Sequence, residues 1–212
     1  NQFADITKKY DESYLDSFLN EELIITEKLD TYRILFEKQN DKLIFFKKDN
    51  TPLNLIERTL TNIWEDAVVE LTTILGDIQI QEGLRFGVAY TPVERPVRIP
   101  YSNIPKYILT DVTLRKNNKI IESFDYDEVT SWAATLNIAR PPIIFKGLLN
   151  EKQKNILKKY GLKKFHELEQ DNFADIINEL FEKSYSNENI IEGIILQSTK
   201  DLYQVISYEF EL

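Results

Sequence analysis

A change of hydrophobic period constrains this chain more than any other feature of it. Between Leu23 and Lys47 the apolar residues fall in short runs rich in β-branched and aromatic side chains, Leu23 to Thr26, Tyr32 to Phe36 and Lys42 to Lys47, with polar turns such as Asn40-Asp41 between them. These read as successive strands. From Thr51 the period changes: Ile56, Leu60, Ile63, Trp64, Ala67, Val68, Leu71 and Leu75 recur at helical spacing and Gly76 follows. That predicts a helix from about Pro52 to Leu75, stopped by Gly76, with Trp64 among its larger buried side chains. Strands resume at Leu84 to Tyr90, Tyr107 to Leu114 and Ile120-Ile121, with the proline-bearing loop Thr91 to Pro105 between the first two.

The second half mixes the two periods as freely. A helix from Tyr126 to Leu136 would bury Val129, Trp132, Ala133 and Leu136, and Pro141-Pro142 precedes a strand at Ile143 to Phe145. Asn150 can cap a helix running to Tyr160 and stopped by Gly161, and Phe173, Ile176, Ile177, Leu180 and Phe181 form another one-faced stripe. Ile190 to Leu196 and Leu202 to Phe210 look like a closing hairpin. Irregular interleaving of this kind favours an α+β fold with mixed or antiparallel sheets and flanking helices over a doubly wound one.

Composition narrows the function. The 212 residues, 42% of them hydrophobic, suit one domain spanning 1–212, with no linker to an appended OB-type or C-terminal domain. No apolar run approaches the ~18 residues that cross a bilayer, so no membrane role is expected. Zero cysteines permit a reducing compartment, and a single histidine, His166, excludes a multi-histidine metal centre. With 26 Lys+Arg against 35 Asp+Glu the net charge is −9, the wrong sign for a polynucleotide surface spread over the whole protein. One stretch differs, because Lys152, Lys154, Lys158, Lys159, Lys163 and Lys164 are opposed only by Glu151. It reads either as a solvated helix face or as a contact for nucleic acid ends.

The chemistry is concentrated in Thr26-Glu27-Lys28-Leu29-Asp30-Thr31-Tyr32-Arg33 and, far along the chain, Ile191-Glu192-Gly193-Ile194-Ile195-Leu196. The first resembles motif I (Lys-x-Asp-Gly-x-Arg) of the covalent nucleotidyltransferases, the superfamily of ATP-dependent DNA and RNA ligases and capping enzymes. The second resembles their motif IV. Phe45 to Asp49 with Ile56 to Leu60 is similar to the segment after motif I in phage-type RNA ligases, and Leu84 to Val88 and Ile108 to Val112 stand where motifs III and IIIa belong. The resemblance implies a ligase-type adenylation domain, two sheets with flanking helices around a nucleotide groove, and it implies the roles of the residues. Lys28 would attack the α-phosphate of ATP and carry AMP in polynucleotide end joining. Asp30 and Glu192 would hold Mg²⁺, Arg33 and Arg58 would grip phosphate or ribose oxygens, and Glu27 would lie near the adenine. Phage-type relatives imply the host cytoplasm or a virion as location.

The sequence also departs from that pattern. Thr31 replaces the motif I glycine, Val88 the motif III glutamate that holds the ribose, and Thr110 the aromatic residue that stacks on the base. Gln197 stands where a lysine is common, and Tyr203-Gln204-Val205-Ile206 occupies motif V without its lysines. The altered base-contacting positions leave room for a nucleotide other than ATP. Two functions stay open: a nucleotidyltransferase, or a non-catalytic ligase-fold module that binds protein partners in a virion or replication complex. Read without the family, Lys28 and Asp30 also fit the solvent side of a half-buried strand, paired at its surface with Glu27 and Arg33.

Overall fold

The computed structural model describes residues 12–53, 62–91, 104–162, 173–182, 192–199 and 202–206. In chain order the elements are α1 (Glu12–Leu19), β1 (Leu23–Lys28), β2 (Tyr32–Gln39), β3 (Lys42–Lys47), α2 (Asn62–Leu75), β4 (Leu84–Tyr90) and β5 (Tyr107–Lys116). They continue with β6 (Lys119–Ser123), α3 (Tyr126–Leu136), β7 (Ile143–Gly147), α4 (Glu151–Leu162), α5 (Phe173–Phe181), β8 (Gly193–Gln197) and β9 (Leu202–Ile206). All paired strands are antiparallel. The contacts divide into two compact units, Asn1–Asp30 with Val97–Asn103 and Pro142–Leu212, and Thr31–Pro96 with Ile104–Pro141.

The first unit is a four-stranded sheet in the order β7-β1-β8-β9. Leu23 and Ile25 of β1 and Ile194 and Leu196 of β8 share one core with Leu15, Phe18 and Leu19 of α1, Leu157 and Tyr160 of α4, and Ile177 and Phe181 of α5. Strand periodicity accounts for this, since residues two apart on a strand face the same side. Asn150 caps α4 as expected: its Oδ1 accepts from the Gln153 N–H at 2.9 Å and Gln153 Oε1 accepts from the Asn150 N–H at 2.9 Å. Gly161 does not end that helix, which runs on to Leu162. A glycine in a last turn costs only about 1 kcal/mol, and Tyr160 beside it is anchored in the core. Helix α1 was not predicted, although Leu15, Phe18 and Leu19 have helical spacing.

The second unit is a five-stranded sheet, β3-β2-β4-β5-β6. Its buried face sets Ile34 and Phe36, Phe86 and Val88, and Leu109 and Val112 against Ala67, Val68, Leu71 and Leu75 of α2 and Val129, Ala133 and Leu136 of α3. Phe36 and Phe86 stack with centroids 4.9 Å apart. The predicted α2 stripe is therefore the buried one, while residues 54–61 of that prediction lie outside the described residues. Trp64 and Trp132 are only partly buried. Trp64 lies edge-on to Tyr32 at 5.6 Å, with Lys47 Nζ 5.7 Å from its ring, so the indole shields the core edge rather than filling it. Helix α3 has the predicted bounds, fixed by an Asp125/Glu128 capping box and by Asn137 in the left-handed region, φ 55°.

Candidate active site

In the first unit, register alone brings together two of the residues singled out from sequence. β1 is hydrogen-bonded on both sides, to β7 and β8, and Lys28 at its end is the cross-strand partner of Gly193. Glu192 immediately precedes that glycine. Lys28 Nζ donates to Glu192 Oε1 at 2.8 Å, across 164 residues of sequence, with side chains 25% and 17% exposed. Amine and carboxylate are thus fixed by a central strand and still reachable from solvent. Glu27, opposite Ile194, is 1% exposed and by strand alternation shares the side of Leu23 and Ile25. Asp30, half-buried, closes the same unit two residues after Lys28.

In the second unit Arg33 is held by partners that sequence did not assign to it. Its Nη2 donates to Asp111 Oδ1 at 2.6 Å and its Nη1 to Thr110 Oγ1 at 3.0 Å, while Thr110 Oγ1 donates to the Gly87 carbonyl, 3.0 Å away, and lies 2.7 Å from Asp111 Oδ1. Consecutive strand residues normally face opposite sides. Here a bulge lets both reach one guanidinium: Gly87 pairs with Asp111 but Val88 with Leu109, leaving Thr110 as the extra residue. Gly87 is what makes room. A Cβ there would run into Asp111 Oδ1 and lie 2.7 Å from Arg33 Nη2. Arg140 fastens the bulge, donating from Nη1 to the Leu109 carbonyl at 2.7 Å and lying 4.4 Å from the Tyr126 ring centroid. Burial pulls its guanidinium pKa down, with Tyr126 and Asp111 opposing.

The remaining sequence-assigned positions are placed as follows. Arg58, Lys163, Lys164 and His166 lie outside the described residues. Val88 is fully buried in the core under α2 and α3, off the face that carries Arg33, and the carboxylate beside Arg33 is Asp111. Thr110 pins the bulge by hydrogen bonds rather than presenting a stacking surface. Gln204 pairs with Ile195 in the β8–β9 ladder. Along α4, Lys152 meets Glu179 at 3.3 Å, Lys154 meets Glu151 at 3.3 Å, and Lys158 meets Glu12 at 2.9 Å and Asp16 at 2.7 Å. Much of the lysine stretch is thus locally neutralised. Among the described residues no three carboxylates or histidines converge as a metal cage, and no helix is long and apolar enough to cross a membrane.

With this geometry, the chain has the fold of the ligase-type nucleotidyltransferases. It is similar to a Naegleria gruberi RNA ligase with pyrophosphate, at TM-score 0.61 and 16% identity over 93% of this chain and 53% of that one. A lysine-to-alanine variant of the same enzyme with ATP and manganese gives TM-score 0.57 and 15% identity over 93% and 53%. A protein of Aquifex aeolicus assigned as an ATP-dependent DNA ligase gives TM-score 0.57 and 15% identity over 93% and 47%. The chain spans about half the length of these structures. No protein-family model matches the sequence, and no curated protein matches it.

Proposed function

We propose that this chain is a ligase-fold nucleotidyltransferase-like module of the phage RNA ligase type with degenerate motifs III and V, in which Lys28 would carry AMP from ATP for polynucleotide end joining wherever the site is active. The observation that carries the reading is the Lys28–Glu192 pair at 2.8 Å, formed at the end of a strand fixed on both sides, in a chain with this fold. In the reaction the neutral Lys28 amine forms a bond to the α-phosphorus, the α–β phosphoanhydride bond breaks, and pyrophosphate leaves with its electron pair. The amine proton must go elsewhere, and Glu192 Oε1 already accepts from that nitrogen. Glu192 and Asp30 are hard oxygen donors and would hold Mg²⁺. Two carboxylates suit an ion that keeps several waters and leans on substrate phosphates. When bound, Mg²⁺ would neutralise phosphate charge. Arg33, ordered by Asp111 and Thr110, would grip phosphate or ribose oxygens, as would Arg58, and Glu27 would lie near the adenine.

One observation favours the second reading, a non-catalytic ligase-fold module for protein partners. β9 carries Gln204 and no lysine in the place where the family's motif V lysines would meet the phosphate. Each lost charge contact of that kind costs about 3–4 kcal/mol of barrier, roughly a hundred- to a thousandfold in rate. We therefore expect little or no labelling when the unmodified chain is incubated with α-labelled ATP and Mg²⁺ and run on a denaturing gel. Gln204→Lys should raise the label and Lys28→Ala should abolish it. Efficient labelling of the unmodified chain would discard the non-catalytic reading. Label that persists in Lys28→Ala would discard Lys28 as nucleophile, and GTP in a parallel lane tests the choice of nucleotide. Nucleic acid ends meeting Lys152 to Lys164, and a cytoplasmic or virion location, belong to the same proposal.

A further inference from the structure

A second charged site lies in the second unit, at the end of the sheet where β4 begins. The β2–β3 turn (Asn40, Asp41) and the β5–β6 turn (Asn117, Asn118) flank Glu82-Gly83, and those four turn residues have positive φ of 49°, 62°, 52° and 60°. Asn and Asp tolerate that backbone, which two-residue hairpins require. Between the turns opens a recess of about 170 Å³, lined among others by Lys38, Gln39, Arg85, Arg115 and Asn117. Whole small-molecule ligands occupy roughly 300–1,000 Å³, so the space suits a single compact group.

The charges in the recess are not all matched. Glu37 Oε2 accepts from Arg85 Nε at 3.0 Å, and Glu82 Oε1 accepts from the Asn40 N–H at 3.0 Å, so both carboxylates have donors of their own. Arg85 has its charge partner in Glu37, and its Nη1 also donates to Asn50 Oδ1 at 2.6 Å while its guanidinium lies 4.5 Å from the Phe46 centroid. Arg115 is different. Its side chain makes one hydrogen bond, Nη2 to the Asn118 carbonyl at 3.2 Å, and among the described residues no carboxylate lies within ion-pair distance of it. A guanidinium carries five N–H donors, so most of its capacity is unused. Burial lowers its pKa and the neighbouring Arg85 lowers it further, with Glu37 opposing. Lys42, Lys116 and Lys119 flank the same turns, making a cationic end on a chain whose net charge is −9.

We propose that this recess is a phosphate-binding site in which the Arg115 guanidinium holds the oxyanion, with Lys38 and the Asn117 side-chain amide closing on it. The group comes from free inorganic phosphate or from the phosphodiester backbone of a polynucleotide. Within the second unit the site is also separate from the Arg33 cluster: on β5, Arg115 and Asp111 are four residues apart on one face, roughly 13 Å along the strand.

The test titrates the full chain with inorganic phosphate by calorimetry and with a fluorescein-labelled single-stranded RNA by anisotropy, for the unmodified protein, Arg115→Gln, Asn117→Asp and Lys28→Ala. Asn117→Asp places a negative charge in the recess at a backbone conformation aspartate accepts, and it decides the matter if Arg115→Gln fails to fold. We expect both recess variants to bind phosphate at least tenfold more weakly, with Lys28→Ala unchanged. If the oligonucleotide is the source, both variants also lose affinity for it, and Arg115→Gln lowers the salt slope of binding by about one ion. Loss in the oligonucleotide arm alone assigns the site to a phosphodiester, and loss in the phosphate arm alone assigns it to the free ion. Affinities for both ligands that do not change in either recess variant, absence of binding included, overturn the proposal. So does binding that is lost only in Lys28→Ala.

Discussion

In the first unit Lys28 and Glu192 meet because two strands keep register; in the second, Arg33 and Asp111 meet because one strand breaks it. Among the described residues the first pair follows from the β1–β8 ladder, and both side chains remain partly open. The second depends on several coincidences: a bulge at Thr110, a glycine at 87, and Arg140 holding the carbonyl of Leu109. Under the proposed function the first arrangement is a reactive pair on a plain scaffold, and its loss should cost chemistry. The second is a polar brace within a sheet, and its loss should cost stability.

That contrast breaks or sharpens by substitution. The largest effect is expected for Lys28→Ala, where label from α-labelled ATP should fall to background even in a Gln204→Lys chain, while the urea midpoint reports under about 1 kcal/mol, since partly exposed pairs contribute little. A large loss of stability there would make Lys28 a brace too. Gly87→Ala should come next, at about 2 kcal/mol in the same denaturation, because the new Cβ displaces the Asp111 carboxylate from Arg33. A neutral outcome would show that the pair can be rearranged freely. Thr110→Val keeps the shape and removes the hydroxyl shared by Arg33, Asp111 and the Gly87 carbonyl, for an expected cost of about 1 kcal/mol.

The smallest effect concerns pH. Lys106, hydrogen-bonded to Glu70, holds that carboxyl below its usual range, and the Tyr107 hydroxyl at 2.9 Å adds to it. A depressed folded pKa gives stability that is present above the unfolded value of about 4.3 and lost as pH falls through the folded one. Melting temperatures measured from about pH 5 down to about pH 3 should fall less steeply for Glu70→Gln than for the unmodified chain. Equal slopes would mean that this surface pair contributes nothing to the second unit. The Tyr90 hydroxyl should titrate only at about 12, pushed up first by burial and then by Glu70 and Asp66, as tyrosinate absorbance would reveal.

Much of the architecture was legible because strand and helix periods are local. β3, β4, α3 and α5 lie where the pattern places them, the strands as short runs rich in β-branched and aromatic residues and the helices by their 3.6-residue stripes. Helix α1 escaped because three apolar residues in an eight-residue stretch make a short signal. Lys28 and Glu192 could be paired from motif order, without any geometry. Arg33 and Asp111 could not, being 78 residues apart, with a bulge that reverses the side on which Asp111 is expected. A clue was present: Gly87 sits inside a strand-like run, where glycine marks a bulge or a close approach.

The strand order of the first unit also bears on biosynthesis. β1 leaves the ribosome early, but its two hydrogen-bonding neighbours are drawn from Ile143–Gly147 and Gly193–Gln197, while the sheet of the second unit is complete by Ser123. Until both neighbours emerge, the strand that carries Lys28 has open edges, the state in which nascent chains associate wrongly and chaperones engage them. Lys28 acquires its carboxylate only when β8 docks. A chain cut short before that strand would keep the lysine, and much of the second unit, without the residue it meets in the finished protein.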